Sequence, residues 1–315
     1  MKKSNLKLIN TTLKVRQSNK SFNVNKFRRN FSNILFKYFC LLSSSILFIT
    51  LFSIIFFIGK TGILVFKDVP LQTFLFSTNW TPEEHHFGAA AIIIGTFVLT
   101  GMTLLIATPI SLAIAVFLSE IAPNWLKRIM RPMIDLLVGI PSVVYGYLGM
   151  TVLIPFIRRI TGVDMGDGIL AAALVLSLMV IPTITRISDD SLTVLPNEYR
   201  EASYALGSTR LQMIWKVILP GAKDGIVTAI ILGMARAIGE TMAVVMVIGN
   251  VAQLPITLIT PTSVLTSNIV MQIMNVQSDS TWHNALYMMA FLLLLISFIL
   301  IACIRLIRNK GEQTI

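Results

Sequence analysis

Charge is what this chain has least of. Only 13% of its 315 residues are Asp, Glu, Lys or Arg, against about 25% in an ordinary soluble domain, and 55% are hydrophobic. That balance excludes a soluble globular protein and makes a membrane protein the first expectation. Cysteine is nearly absent. Cys40 and Cys303 both fall inside apolar runs, where the residue behaves as a small hydrophobe, so no disulfide framework is implied. Acid is missing from the first 37 residues, which hold ten of the Lys and Arg. The net charge of +11 could point to nucleic acid. The basic residues precede a long apolar segment, however, and a basic tail against an anionic leaflet accounts for them. A cleaved signal peptide is not expected, because the tail is too long and no small-residue cleavage site follows the apolar run.

Nucleotide and metal sites are missing too. The Gly59-Lys60-Thr61 triplet lacks the upstream glycine that a phosphate-cradling loop requires, since Ile54 stands there, and it ends an apolar run rather than following a strand. His85 and His86 are adjacent, so they point to different faces, and only Glu83 and Glu84 lie near them in sequence. His283 is alone. No cofactor or metal is expected.

Six segments are apolar enough for the roughly 20 residues of a span: 38–59, 89–119, 132–157, 169–187, 224–249 and 285–307. Pro109 is a candidate kink in the second. Of the 26 Lys and Arg, 21 lie in the N-terminal tail, the 119–131 and 186–223 loops and the C-terminal end, while Lys60, Lys67, Arg158 and Arg159 lie on the opposite side. Both termini are therefore expected in the cytoplasm. The expected fold class is an all-α integral membrane protein with about six transmembrane helices. Its divisions are a basic cytoplasmic tail (1–37), a first span (38–59), an external interfacial segment with a short amphipathic helix (60–88), a transmembrane core (89–307) enclosing a cytoplasmic loop (187–223), and a cytoplasmic end (308–315). A second short helix is expected on the outer surface near 264–275. No soluble domain and no internal repeat is apparent.

Arg236 and Glu240, in ARAIGETMAVV, are the sharpest polar signal inside an apolar run. A charged residue at a helix centre costs roughly 2.5–3.5 kcal/mol on insertion scales. On a continuous helix the two, four apart, would share a face. They read either as a structural ion pair or as groups lining a substrate path. Asp135 is a weaker case nearer the cytoplasmic edge. Gly139, Pro141, Gly146 and Gly149 make the third segment easy to bend and easy to approach, either as a packing seam or as a flexible wall of a passage.

Between the fourth and fifth segments lies EASYALGSTRLQMIWKVILP, Glu201 to Pro220. It is too polar to span and too apolar for a slack linker. Asn197 is a candidate N-cap for a helix over 198–206. Gly207 would end that helix in a left-handed conformation, and Ser208 would cap a second helix running to Leu219. Two short helices joined at a glycine, with Ala205, Leu206, Leu211, Ile214 and Trp215 available, make a knob that wants a groove on a partner protein.

Glu201, Ala202, Gly207, Val217, Leu219 and Pro220 resemble the EAA loop of bacterial ABC importer permeases, the type I, MetI-like class. Ser203 stands where a second alanine is usual, and Val217 where isoleucine is usual. GTFVLTG near Gly95, FLSE at Phe117–Glu120, GIPSVVYG at Gly139–Gly146, IPTITRISDDSL at Ile181–Leu192 and ARAIGETMAVVMVIGN at Ala235–Asn250 together resemble phosphate importer permeases. GETMAVV and the basic extension resemble the PstC type more than its PstA partner. The resemblance covers roughly 38–308. It implies a multi-pass protein of the bacterial inner membrane, paired with a second permease subunit of the PstA type. Two ATPase subunits of the PstB type would dock below, and an external phosphate-binding protein of the PstS type would deliver substrate. It also implies that the chain is no enzyme itself, that its knob transmits ATPase closure, and that Arg236 and Glu240 line the path.

Three rivals remain at this point. A permease for molybdate or sulfate would share the knob, but those anions carry no proton at neutral pH for Glu240 to accept. A non-transporting signalling scaffold would leave the intramembrane charges unexplained. An intramembrane enzyme would need paired catalytic groups beyond Arg236 and Glu240, and none is present.

Overall fold

The computed structural model describes residues 34–312; most of the expected basic tail, and residues 313–315, lie outside them. Two units are distinguished, 1–57 and 58–315. In the first, helix α1 (Ile34–Lys67) begins as an apolar rod carrying a ladder of phenylalanines: Phe48, Phe52 and Phe56 stack at centroid separations of 6.4 and 6.3 Å. Their spacing of four places them on one face. The helix is longer at both ends than the 38–59 expected.

The second unit is built on a central pair, α3 (Ala90–Ile121) and α6 (Ile169–Thr193). α3 and the first half of α6 are apolar nearly all round, so the buried face is marked by small residues instead. Ala91, Thr96, Thr100, Thr103, Ala107, Ser111 and Ala115 of α3 are buried against Ala172, Ala173, Ser177, Val180 and Ile184 of α6. Small residues let two helices approach closely, and their hydroxyls bond across the seam. The Ser177 hydroxyl lies 3.2 Å from the Thr103 carbonyl, and Ser111 donates to the Ile181 carbonyl at the same distance. α9 (Lys223–Gly239) packs on α6 and also touches α3, with Ala107, Val180, Ile184, Ala229 and Ala237 in one buried cluster.

The third apolar segment is not one span. α4 (Asn124–Val138) stops at Gly139, and α5 (Ser142–Thr161) starts after Pro141. Proline disfavours the helical region for the residue before it, which makes Ile140 a natural break. The Tyr145 hydroxyl bridges the gap to the Leu137 carbonyl at 3.1 Å. Gly146 is a packing seam: a Cβ there would lie 2.9 Å from the Ala243 Cα, closer than atoms can pack.

On the expected outer side, α2 (Leu71–Phe76) is the short helix anticipated in 60–88. A two-stranded antiparallel hairpin follows it, β1 (Trp80–Thr81) and β2 (His86–Phe87), with Trp80 opposite Phe87. His85 and His86 belong to this turn, His85 with φ of 62°, and no metal-holding group of His, Cys, Asp or Glu occurs among the described residues. The chain closes with α12 (Thr281–Glu312). The indoles of Trp80 and Trp282 both donate to the Gln272 side-chain oxygen, at 3.2 and 2.9 Å. That tie holds the hairpin, α11 (Leu265–Ile273) and α12 together.

Two further expectations need correction. The fifth apolar segment does not run helically to residue 249. α9 ends at Gly239, Glu240 is extended (φ −70°, ψ 125°), and one turn, α10 (Met242–Val245), precedes an irregular stretch. The helix near 264–275 exists and its C-terminal half is partly exposed, but its first turn is buried. Leu265, Thr266, Ser267 and Asn268 are buried, and the Leu265 N–H donates to the Thr96 hydroxyl of α3 at 3.0 Å.

Among the described residues, five helices are long and apolar enough to cross a membrane: α1, α3, α5, α6 and α12. A sixth is reached when α9 is joined to α8 (Arg210–Gly221) across a bend of 69°.

Candidate translocation site and coupling knob

The cytoplasmic loop expected at 187–223 begins later, because α6 continues to Thr193. α7 (Asn197–Ala205) follows, and its N-cap position is Pro196 rather than Asn197. Gly207 takes φ of +76°, the left-handed conformation expected of it, with open space around its α-carbon. The cap of the next helix is Thr209, not Ser208. Thr209 and Gln212 form a reciprocal capping box, the arrangement that satisfies two otherwise orphaned donors. The Ser208 hydroxyl instead lies 2.7 Å from the Ser203 carbonyl, closing the turn. α8 then contains a π-turn at Ile214–Ile218 and runs through Pro220 to Gly221, not stopping at Leu219.

Glu201, Ala202, Gly207 and Pro220 are exposed, and Val217 and Leu219 are half-buried. Ala202, Gly207 and Val217 line a groove of about 410 Å³ with Tyr199, Gln212 and Lys216. Met213, Ile214 and Ile218 face inward with Leu192, Ala115 and Ile226, so the knob is packed onto the helix ends. Leu206, Leu211 and Trp215 stay exposed.

A buried charge pair pins the knob. Arg200 on α7 meets Glu120, at the end of α3, at 2.6 Å, and also donates to the Leu192 and Leu195 carbonyls at 3.1 and 2.9 Å. The hydrogen bond that Arg200 donates to Glu120 raises the arginine's pKa above its ordinary value despite burial. Arg210 also donates to the Glu120 carbonyl. A second pair lies nearby: Arg131 of α4 grips Asp189 of α6 with two bonds, at 2.7 and 3.0 Å. Asp135, the weaker sequence candidate, pairs with Arg186 at 3.4 Å, which also reaches Asp190 at 3.5 Å. Sequence reading assigned no role to Glu120, Arg131, Asp189 or Arg200. The acid closing FLSE after a long apolar run was the available signal for the first.

Arg236 and Glu240 are both half-buried, but the helix end at Gly239 separates them, so they do not share a helical face. No ion pair joins them among the described residues. Arg236 donates one hydrogen bond, 2.9 Å to the Thr183 hydroxyl of α6. One carboxylate oxygen of Glu240 accepts from the Ala243 N–H at 3.2 Å. Its carbonyl accepts from Thr266 at 3.1 Å. Tyr145, beside the α4–α5 break, lies within electrostatic reach of Arg236. A guanidinium carries five N–H donors. Among the described residues one meets a neutral hydroxyl and none meets a carboxylate, so the site holds a cation with free donors.

Long apolar helices, a third apolar segment broken into two helices, a helix–glycine–helix knob and an uncompensated arginine beside a helix break define a multi-pass membrane protein of the permease class. Residues 107–313 match the family described as the binding-protein-dependent transport system inner membrane component, and the chain belongs to that family. The probable ABC transporter permease protein YqgH of Bacillus subtilis (strain 168) is 44% identical over 260 residues, covering 81% of this chain and 84% of that protein. The phosphate transport system permease protein PstC of Pasteurella multocida (strain Pm70) is 35% identical over 260 residues, covering 76% and 81%. Among solved structures, an inward-facing conformation of the MetNI methionine ABC transporter superposes with a TM-score of 0.52 at 25% identity, covering 70% of this chain and 92% of that one.

Proposed function

We propose that this chain is the permease subunit of an ATP-driven importer of inorganic phosphate. Its partners are a related second permease subunit of the PstA type, ATPase subunits of the PstB type that bind the knob and hydrolyse ATP, and an external phosphate-binding protein of the PstS type. The kinship with proteins named phosphate transport permeases supports the substrate. The observation that carries the reading is Arg236. A structural ion pair would explain an arginine in an apolar helix, but its nearest sequence acid, Glu240, is occupied at a helix turn instead. An uncompensated cation in an apolar setting is a substrate-path group by default.

In this reading Arg236 offsets the anion's charge. Glu240 keeps one carboxylate oxygen free to accept the P–OH hydrogen that phosphate retains at neutral pH. Sulfate has no such proton and would meet Glu240 oxygen to oxygen, a repulsion that confers selectivity. Glu201, Ala202, Gly207, Val217, Leu219 and Pro220 form the face that receives the ATPase subunit. The termini and the knob lie on the cytoplasmic side of the bacterial inner membrane.

Labelled-phosphate uptake in a strain lacking other phosphate importers tests this, with assembly followed by co-purification. Arg236→Gln is expected to assemble and not transport, and Glu240→Gln to lower both phosphate and arsenate uptake. Parent-like uptake by assembled Arg236→Gln overturns the path. Labelling of Ser208→Cys by an impermeant thiol reagent in intact cells overturns the topology.

A further inference from the structure

The residue that holds Arg236 has an unused proton of its own. Several hydroxyls inside the helices of this protein bond back to the carbonyl four residues earlier. Thr96, Thr100, Thr103, Ser177, Ser191 and Ser297 all do so, at 2.6 to 2.9 Å. This habit satisfies a polar group in an apolar setting at little cost. Thr183 departs from it. Its oxygen accepts from the Arg236 guanidinium at 2.9 Å, and its hydroxyl proton has no acceptor among the described residues. A threonine hydroxyl is one donor and two acceptor lone pairs. Thr183 therefore presents a free O–H immediately beside a guanidinium that itself has free N–H donors.

Its position on α6 is fixed from both ends. Ser111 and Ser177 tie the helix to α3. Asp189, six residues on, is gripped by Arg131, and Arg200 of the knob takes the Leu192 carbonyl. Thr183 follows Pro182 on this anchored helix, whereas Arg236 stands on the last turn of α9, next to the break at Glu240. The rigid partner in the Thr183–Arg236 contact is thus the threonine.

We propose that Thr183 is a positioning and anion-contacting residue of the translocation site: its oxygen orients the Arg236 guanidinium, and its hydroxyl donates to a tetrahedral oxyanion bound there. The inference rests on Arg236 lining the path. The two groups then address one anion together, with charge and fork donors from the arginine and a single neutral donor from the threonine. The neutral donor is the one that α6, and through it the knob, holds in place.

The test uses the full chain assembled with its partner subunits, reconstituted in vesicles, with inorganic phosphate as the probe. Thr183→Val keeps the shape and removes both the acceptor and the donor. It is expected to raise the phosphate KM about tenfold or more, the size of losing a hydrogen bond to a charged group, with a smaller fall in kcat. Thr183→Ser keeps the hydroxyl and is expected to stay near the parent KM, a rescue that a purely structural role would not give. Arg236→Gln runs in parallel. Loss of transport in Arg236→Gln together with a parent-like KM in Thr183→Val overturns the threonine's role and leaves the path standing. Parent-like transport by Arg236→Gln overturns the path itself. If the valine variant does not assemble, Thr183→Ala decides against Thr183→Ser: serine alone near the parent supports the proposal, and equal behaviour of the two overturns it.

Discussion

Arg200 and Arg236 are both half-buried arginines, held in opposite ways. Arg200 is saturated: it has a carboxylate at 2.6 Å, two backbone carbonyls and the Asn197 side chain. Arg236 has one neutral hydroxyl. A charge removed from water is tolerated when it is paired and its donors are filled, so Arg200 reads as a fixed joint between α3, α6 and the knob. A charge left with free donors lowers stability unless something else fills them, so Arg236 reads as a place kept for an anion. Arg131, with its bidentate hold on the buried Asp189, falls with Arg200. The pattern divides the molecule. Under the proposed function, the arginines at the knob end serve the architecture, and the arginine at the helix break serves transport.

The comparison can be broken most sharply at Glu120. Its side chain is 5% exposed, and Glu120→Ala would leave Arg200 buried without its acid. Removing one partner of a buried pair costs roughly 3–5 kcal/mol. The melting temperature of the detergent-solubilised protein should fall clearly, and the double change Glu120→Ala/Arg200→Ala should be milder than the sum of the single changes. Strict additivity would mean that the two residues do not act as a pair.

Asp189→Asn should rank next. Asp189 is 1% exposed, but Arg131 is 31% exposed and can recover some hydration. A loss of about 2–3 kcal/mol is expected, in the range for hydrogen bonds to charged groups, read by the same melting experiment. A loss larger than that of Glu120→Ala would reverse the ranking of the two joints.

Gly207 is a smaller test, and it separates backbone strain from contact. No atom lies within 4 Å of a Cβ added there, so the penalty comes from the left-handed backbone alone, about 1–2 kcal/mol. Gly207→Val should weaken co-purification of the ATPase subunit while the chain remains in the membrane. Gly207→Asn should be nearly neutral, because asparagine tolerates that conformation. Equal behaviour of the two would rule out backbone conformation as the reason for glycine.

Arg236→Gln should change stability least, by about 1 kcal/mol or less, since it removes an uncompensated charge and one hydrogen bond. It should nonetheless eliminate phosphate uptake. A large fall in melting temperature would place Arg236 with Arg200 as a structural group and erase the contrast.

Much of this protein was decided locally and can be read locally. Long apolar runs force helices, because in lipid each backbone polar group must bond within its own segment. Gly207 sits where only a residue free to take positive φ ends one short helix and starts the next, so the knob was legible from Glu201 to Pro220. Arg236 and Glu240 stood out because charge in an apolar run is costly. What could not be read was how those charges are used. Gly239 is a candidate stop in ARAIGETMAVV, but a glycine in an apolar helix serves equally as a close-packing residue, so the end of α9 there is not decided locally. The break is stabilised from elsewhere, by Thr266 taking the Glu240 carbonyl and by an α11 whose first turn is buried against Thr96. The joints at Arg131–Asp189 and Arg200–Glu120 span 58 and 80 positions of sequence. A pairing over such distances leaves no periodicity to detect. Helix identity follows from local solvation and backbone geometry, whereas the partner of each buried charge is chosen only when packing brings distant helix ends together.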